Sequence, residues 1–141
     1  MPEPIKLEST FVGLSQRFRR TTTVVGSPAA AAETIIASLS VPDDLAVEAG
    51  VRLEGWAAFT VGTNGVSTQL RIRQTNVAGT VKADTGALTG GVAAAALLAQ
   101  DVIGFDTGPT LPGQVYVLTL QVASGSAAST VSSVFLGAIV V

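Results

Sequence analysis

Downstream of residue 33, polar and apolar residues alternate along most of the chain with the period of two that belongs to half-buried strands. In Ile35, Ala37, Leu39 and Val41 every second residue is apolar, and Pro42-Asp43-Asp44 closes the run with turn chemistry. A strand over 51–61 puts Val51, Leu53, Ala57, Phe59 and Val61 on one face and Arg52, Glu54, Trp56, Ala58 and Thr60 on the other. Asn64-Gly65 follows, the dipeptide suited to a two-residue type I′ turn because both central residues need positive φ. If Thr63 pairs with Val66, Val61 falls opposite Thr68, Phe59 opposite Leu70 and Ala57 opposite Ile72, so the apolar faces coincide. The other face then pairs Thr60 with Gln69, Ala58 with Arg71 and Trp56 with Arg73. A slip of one residue would destroy this match, so a hairpin is expected here. Trp56 over Arg73 reads as a surface pair supporting the sheet, worth roughly 0.5–1 kcal/mol as a cation–π contact.

Further along, a short strand fits Thr80 to Ala83 among turn formers, and Asp106 to Gly113 is a loop. Residues 92–105 carry alanines and leucines that suit a helix by propensity, but their Gly-rich and β-branched flanks and the strands on either side favour a strand. Over 114–123, Tyr116, Leu118, Leu120 and Val122 alternate with Val115, Val117, Thr119 and Gln121. The final strand, 131–141, is apolar on both faces, with Phe135, Ile139 and Val141 on one and Val134, Leu136, Ala138 and Val140 on the other. Such a strand belongs inside a sheet and needs cover on its outer side. That cover is assigned to a second subunit or the N-terminal segment, with Val134, Leu136 and Val140 as the subunit interface. Seven or eight short strands with turn signals every 8 to 15 residues indicate an all-β protein, an antiparallel β-sandwich that is jelly-roll-like, with an up-and-down barrel as the alternative.

The first 31 residues differ. They hold four of the eight basic groups, Lys6, Arg17, Arg19 and Arg20, against two of the ten acids, Glu3 and Glu8, so charge is polarised along the chain. Pro2, Pro4, the threonines at 21–23 and Gly26-Ser27-Pro28 disfavour a helix. An extended N-terminal arm over 1–31, with short strands at Ser9 to Leu14 and Phe18 to Val25, precedes a sandwich domain over 32–141. The cluster Arg17, Phe18, Arg19 and Arg20 suits docking onto an acidic protein, with Phe18 as an apolar anchor. Three arginines on a chain of net charge −2 are a small footprint for nucleic acid, which is not expected as a partner.

Composition narrows the chemistry. Of 141 residues, 48% are apolar and only 13% charged, about half the ~25% usual for soluble domains, so assembly or polar uncharged residues must cover the surface. No apolar stretch approaches the ~20 residues that span a bilayer, so no membrane is expected. The start of the chain lacks the apolar core of a secretory signal, so synthesis in a cytoplasm is expected. With no cysteine and no histidine, thiol nucleophiles, Ser-His pairs and the usual zinc sites are excluded. Paired carboxylates remain, yet Asp43, Asp44 and Asp106 sit in turn contexts, and Glu48, Glu54, Asp84 and Asp101 form no motif. A calcium site at Asp101 and Asp106 would need several more oxygen ligands. No catalytic residue, cofactor or metal site is expected, and the protein is read as not an enzyme.

Gly104-Phe-Asp-Thr-Gly-Pro, Tyr116-Val-Leu-Thr-Leu-Gln-Val and Ser126-Ala-Ala-Ser-Thr-Val-Ser-Ser-Val-Phe-Leu, together with the segment from Gly55-Trp56 to Arg73, resemble small structural proteins of tailed bacteriophages in style and motif order over residues 33–141. The resemblance implies a virion structural protein of the capsid decoration (cement) type. It would bind the major capsid protein on the outer surface of the shell, associate as a homotrimer and stabilise the lattice. The alternative is a receptor- or carbohydrate-binding module of a head or tail fibre, with Trp56, Tyr116 or the loop around Asp106 as its platform.

Overall fold

The structure, a computed structural model, describes residues 17–21, 32–40, 50–62, 66–89, 96–107, 113–123 and 129–140, and for Arg17–Thr21 and Val140 the backbone only. Among them lie nine strands: β1 (Arg17–Thr21), β2 (Glu33–Ser40), β3 (Val51–Thr60), β4 (Ser67–Gln74), β5 (Val81–Asp84), β6 (Leu88–Thr89), β7 (Leu97–Asp106), β8 (Val115–Val122) and β9 (Thr130–Val140). They form two antiparallel sheets. Sheet A has the order β1-β9-β3-β7, and sheet B the order β2-β8-β4-β5 with β6 also on β4.

The pairings are nested. β1 pairs with β9, β2 with β8, β3 with β7, and β4 with β5 and β6, which is the ladder of one long antiparallel hairpin. Rolling that hairpin adds β9 to β3 and β8 to β4, and leaves the two sheets face to face. This is the jelly-roll arrangement expected from the alternation.

The rolled topology overturns the Asn64-Gly65 hairpin. β3 and β4 lie in different sheets, with β3 flanked by β7 and β9 and β4 by β8, β5 and β6; the dipeptide itself lies outside the described residues. Val51, Leu53, Ala57 and Phe59 do share a core with Leu70 and Ile72, but they face them across the sandwich. Matching apolar faces is a property of strands that enclose one core, whether they are neighbours in a sheet or opposed across it. Trp56 therefore lies between Asp101 and Phe135, away from Arg73.

The core is apolar and closed, with Tyr116, Phe59, Ile36, Leu39, Leu53, Leu70, Ile72, Leu118, Leu120 and Leu136 all essentially inaccessible. β2 shows how a single extra residue resets the faces. Its register with β8 shifts between Ile35 and Ala37, so Ile36 becomes the extra residue and turns inward, while Ile35 is only half-buried. The expected inward set of Ile35, Ala37 and Leu39 is thus corrected to Ile36, Ala37 and Leu39.

β7 covers Leu97–Asp106, which resolves the ambiguous segment as a strand from residue 97 onward; 90–95 lie outside the described residues. β5 begins at Val81, as the short strand there predicted. β9 is interior to sheet A, as its two apolar faces required, but Val134 and Leu136 point into the core of this same chain, 1% and 0% exposed. Neither side chain can form the expected subunit interface, because a strand's inward row is already spent on its own sandwich. Val140 pairs with Val51.

Candidate functional site

Arg17 to Arg20 belong to β1, which is hydrogen-bonded to β9 at the edge of sheet A, with Arg17 opposite Ile139 and Arg20 opposite Gly137. This part of the expected arm is laid against the sandwich as an edge strand. The strand expected at Ser9 to Leu14 lies outside the described residues, as do Asp43, Asp44 and Glu48.

The outer face of sheet B is closed by polar contacts that cross the whole sheet. Glu33 on β2 is held by a two-point fork from Arg73 on β4, with Nε to Oε1 at 2.6 Å and Nη2 to Oε2 at 2.8 Å. Arg71 Nη1 donates to Glu33 Oε2 at 3.0 Å and to Gln121 Oε1 at 2.9 Å, and Arg71 Nε reaches Asp84 Oδ2 on β5 at 3.1 Å. Thr119, fully buried between β2 and β4, donates its hydroxyl to Glu33 Oε1. Gln69 Nε2 donates to Asp84 Oδ1 at 2.7 Å.

The network sets the charge states. Burial by itself raises the Glu33 carboxyl, but hydrogen bonds from Arg73 and Thr119 and the charges of Arg73 and Arg71 outweigh it, and the group stays below its ordinary value. Asp84 follows the same pattern, with burial opposed by Gln69, the Gly86 N–H and Arg71, and it too is lowered. Both carboxylates are anions rather than proton donors poised near neutrality, and their oxygens are already engaged by the donors of the network.

A second polar group ties the two sheets together. Tyr116, buried in β8, donates its hydroxyl to Asp106 Oδ2 at 2.7 Å, and Lys82 Nζ on β5 lies 2.7 Å from Asp106 Oδ1. Beside it, Gly104 on β7 lets β5 approach closely, since a Cβ there would stand 2.5 Å from both the Lys82 carbonyl oxygen and the Ala83 Cβ. Asp106 is thus a structural clamp on the inner side of β7, whereas Asp101 is exposed. The two do not converge as calcium ligands, and among the described residues no cluster of three or more acidic, histidine or cysteine side chains could hold a metal. Burial of Tyr116 also removes it from the expected glycan platform; Trp56 lies on another face, and 108–112 of the loop after Asp106 lie outside the described residues.

The outer face of sheet A is different in kind. Along β7 the outward row carries Leu97, Ile103 and Phe105, 66%, 53% and 54% exposed, and the adjacent Trp56 on β3 is 36% exposed. Phe135 on β9 lies over Gly137, where any Cβ would meet its ring at 2.7 Å. An Arg52–Glu54 ion pair at 2.7 Å punctuates this apolar surface. Sequence reading missed it because an apolar residue on a strand is ordinarily assigned to a core. The usable signal lay in β7, where Leu97 and Leu98 are apolar on both faces.

No family model and no curated protein matches this chain. Solved structures do match in fold. A structure of infectious bursal disease virus, Gx strain, aligns at TM-score 0.59 and 14% identity over 89% of this chain and 32% of that one. The crystal structure of the VP2 subviral particle of the same virus aligns at TM-score 0.58 and 11% identity, with the same coverage. The T=1 particles derived from it align at 0.59 and 10%, over 89% of this chain and 31% of that one. The chain thus spans about a third of the length of the chains it matches.

These likenesses correct the resemblance to tailed-phage decoration proteins and what it implied. The matched structures are of infectious bursal disease virus, its VP2 subviral particle and its derived T=1 particles, and none of these is a tailed-phage decoration protein. The expected bacteriophage cement role, its docking to a major capsid protein and the fibre alternative are therefore set aside. At these identities the likeness establishes architecture, and by architecture the chain is an antiparallel jelly roll of the type found in viral capsid particles.

Proposed function

We propose that this chain is a shell-forming jelly-roll domain, a structural and non-enzymatic part of a virion that builds the capsid by contacts between its own copies. The observation that carries the reading is the fold, β1-β9-β3-β7 over β2-β8-β4-β5, which aligns over 89% of the chain at TM-score 0.59 with a structure of infectious bursal disease virus. Surface chemistry supports it. A chain with 13% charged residues that keeps Leu97, Ile103 and Phe105 in water gains by burying them against another subunit. Synthesis in a host cytoplasm followed by incorporation in the virion belongs to the same proposal.

Sedimentation velocity and negative-stain microscopy of the purified full chain test it. Discrete oligomers or closed particles are expected to grow in with concentration. A chain that stays monomeric at all concentrations and salt conditions would overturn the reading.

A further inference from the structure

We infer that β7 and the outer face of sheet A beside it form a contact between two copies of this chain, with their β7 strands side by side and antiparallel about a two-fold axis. The inference rests on the shell-domain reading and specifies the surface through which copies meet.

The first argument is the state of the edge. β7 is ten residues long and pairs on one side only, with β3; among the described residues no strand pairs with its other side. Its register with β3 runs from Val51↔Asp106 to Thr60↔Leu97 without a bulge, and Leu97–Asp106 contains no lysine, arginine or proline. Edge strands of isolated domains are usually blunted by such features, because their free N–H and C=O groups otherwise recruit another strand. β5 does not cap this edge, since it lies beneath the inner side of β7 at Gly104.

The second argument is area. At roughly 150–250 Å² for a whole large side chain, the exposed parts of Leu97, Ile103, Phe105 and Trp56 amount to about 400 Å² of apolar surface. That is about half of the ~800 Å² one partner contributes to a standard interface, enough for its apolar core. Among the described residues the outer face of sheet B is more polar, because Glu33, Arg71, Arg73 and Asp84 are bonded to one another there, although Val81 is 41% exposed.

The third argument is self-complementarity, which a two-fold contact requires. An antiparallel pairing centred on Asp101 sets Leu97 against Phe105 of the partner subunit and Ala99 against Ile103 of the partner subunit. Every outward apolar residue of β7 then meets an apolar one. Asp101 faces its own copy at the axis, and among the described residues it makes no ion pair within its own chain. Like charges directly opposite one another weaken a strand pair, so Asp101 limits the strength of the contact and keeps it reversible.

Sedimentation of the full chain and of single variants, each checked for an unchanged thermal melt, tests the inference. Ile103→Glu and Phe105→Glu are each expected to weaken self-association at least tenfold, and Asp101→Asn to tighten it severalfold. Val81→Lys, at another exposed apolar position on β5, is expected to leave association unchanged. Parental association in both glutamate variants would overturn the inference and leave the shell reading standing, whereas a monomeric parent chain would overturn the shell reading itself. Weaker association of Asp101→Asn, or an equal loss in Val81→Lys, would also overturn the contact described here.

Discussion

Gly104 holds the corner of the sandwich where β5 of sheet B meets β7 of sheet A, and Gly104→Ala probes that corner with one added methyl. The new Cβ would lie 2.5 Å from the Lys82 carbonyl oxygen and 2.5 Å from the Ala83 Cβ, about 1 Å inside ordinary carbon contact distances. Neither atom can rotate away. The oxygen is backbone, and β5 is tied to β4 through the Arg71↔Asp84 and Ile72↔Ala83 pairs. Relief requires β5 to shift away from β7, which stretches the Lys82–Asp106 and Tyr116–Asp106 contacts on the same corner. Overpacking of this kind costs about 1–3 kcal/mol. Replacing glycine within a strand returns roughly 0.5–1 kcal/mol of backbone entropy, so steric cost prevails and a net loss of about 1–2 kcal/mol is expected. With an unfolding entropy near 2.1 cal/mol/K per residue, the melting temperature should fall by roughly 3–7 °C. Differential scanning calorimetry on the parent, Gly104→Ala and the double variant with Ala83→Gly measures it. The double variant, which removes one of the two contacts, should sit above what the two single changes would give if independent. A Gly104→Ala protein that melts at or above the parent temperature would refute the close approach of β5 and β7.

Three further outcomes follow from the same geometry. Gly55→Ala should cost less than Gly104→Ala in the same calorimetric comparison, because its Cβ meets chiefly the mobile end of Leu118 at 2.6 Å. Tyr116→Phe keeps the buried ring but strips the donor from Asp106, and should lower unfolding free energy in urea by about 1–2 kcal/mol with an unchanged m-value. Glu33 and Asp84 have folded pKa values lowered from their ordinary 4.5 and 3.8, so their contribution is complete above those values and is lost as pH falls through the folded ones. Urea midpoints should therefore drop on acidification below about pH 4.5, and Glu33→Gln should show a lower midpoint at neutral pH with a shallower acid dependence.

Most strands were legible because alternation reports which side of a strand is wet, and Leu53, Phe59, Leu70, Ile72, Leu118 and Leu120 do face the core. Their neighbours were not legible. The expected hairpin rested on nearness in sequence and agreement of faces, and β3 and β4 satisfy both while lying in opposite sheets. The Glu33–Arg73 fork joins residues forty apart, and no local pattern announces it. Ile36 was hidden by a bulge, since one extra residue shifts the phase of everything before it. Val134 and Leu136 were read as interface because the strand is apolar on both faces; they form the inward row, and their outward neighbours Phe135 and Ile139 are half-buried.

The order of residues by itself determined that this protein is all-β, that it lacks the side chains for thiol or histidine chemistry, and that its charge is too sparse to cover an ordinary surface. Those are properties of composition and of period, which survive without knowing any contact. Only the tertiary structure decided the strand order within the jelly roll, that sheet B ties Glu33, Arg71, Arg73 and Asp84 together on its outer face, and that sheet A leaves Leu97, Ile103 and Phe105 in water. The reason is physical. A period of two gives each strand two faces but carries no information about partners, and here partners are set by long-range packing around one shared core.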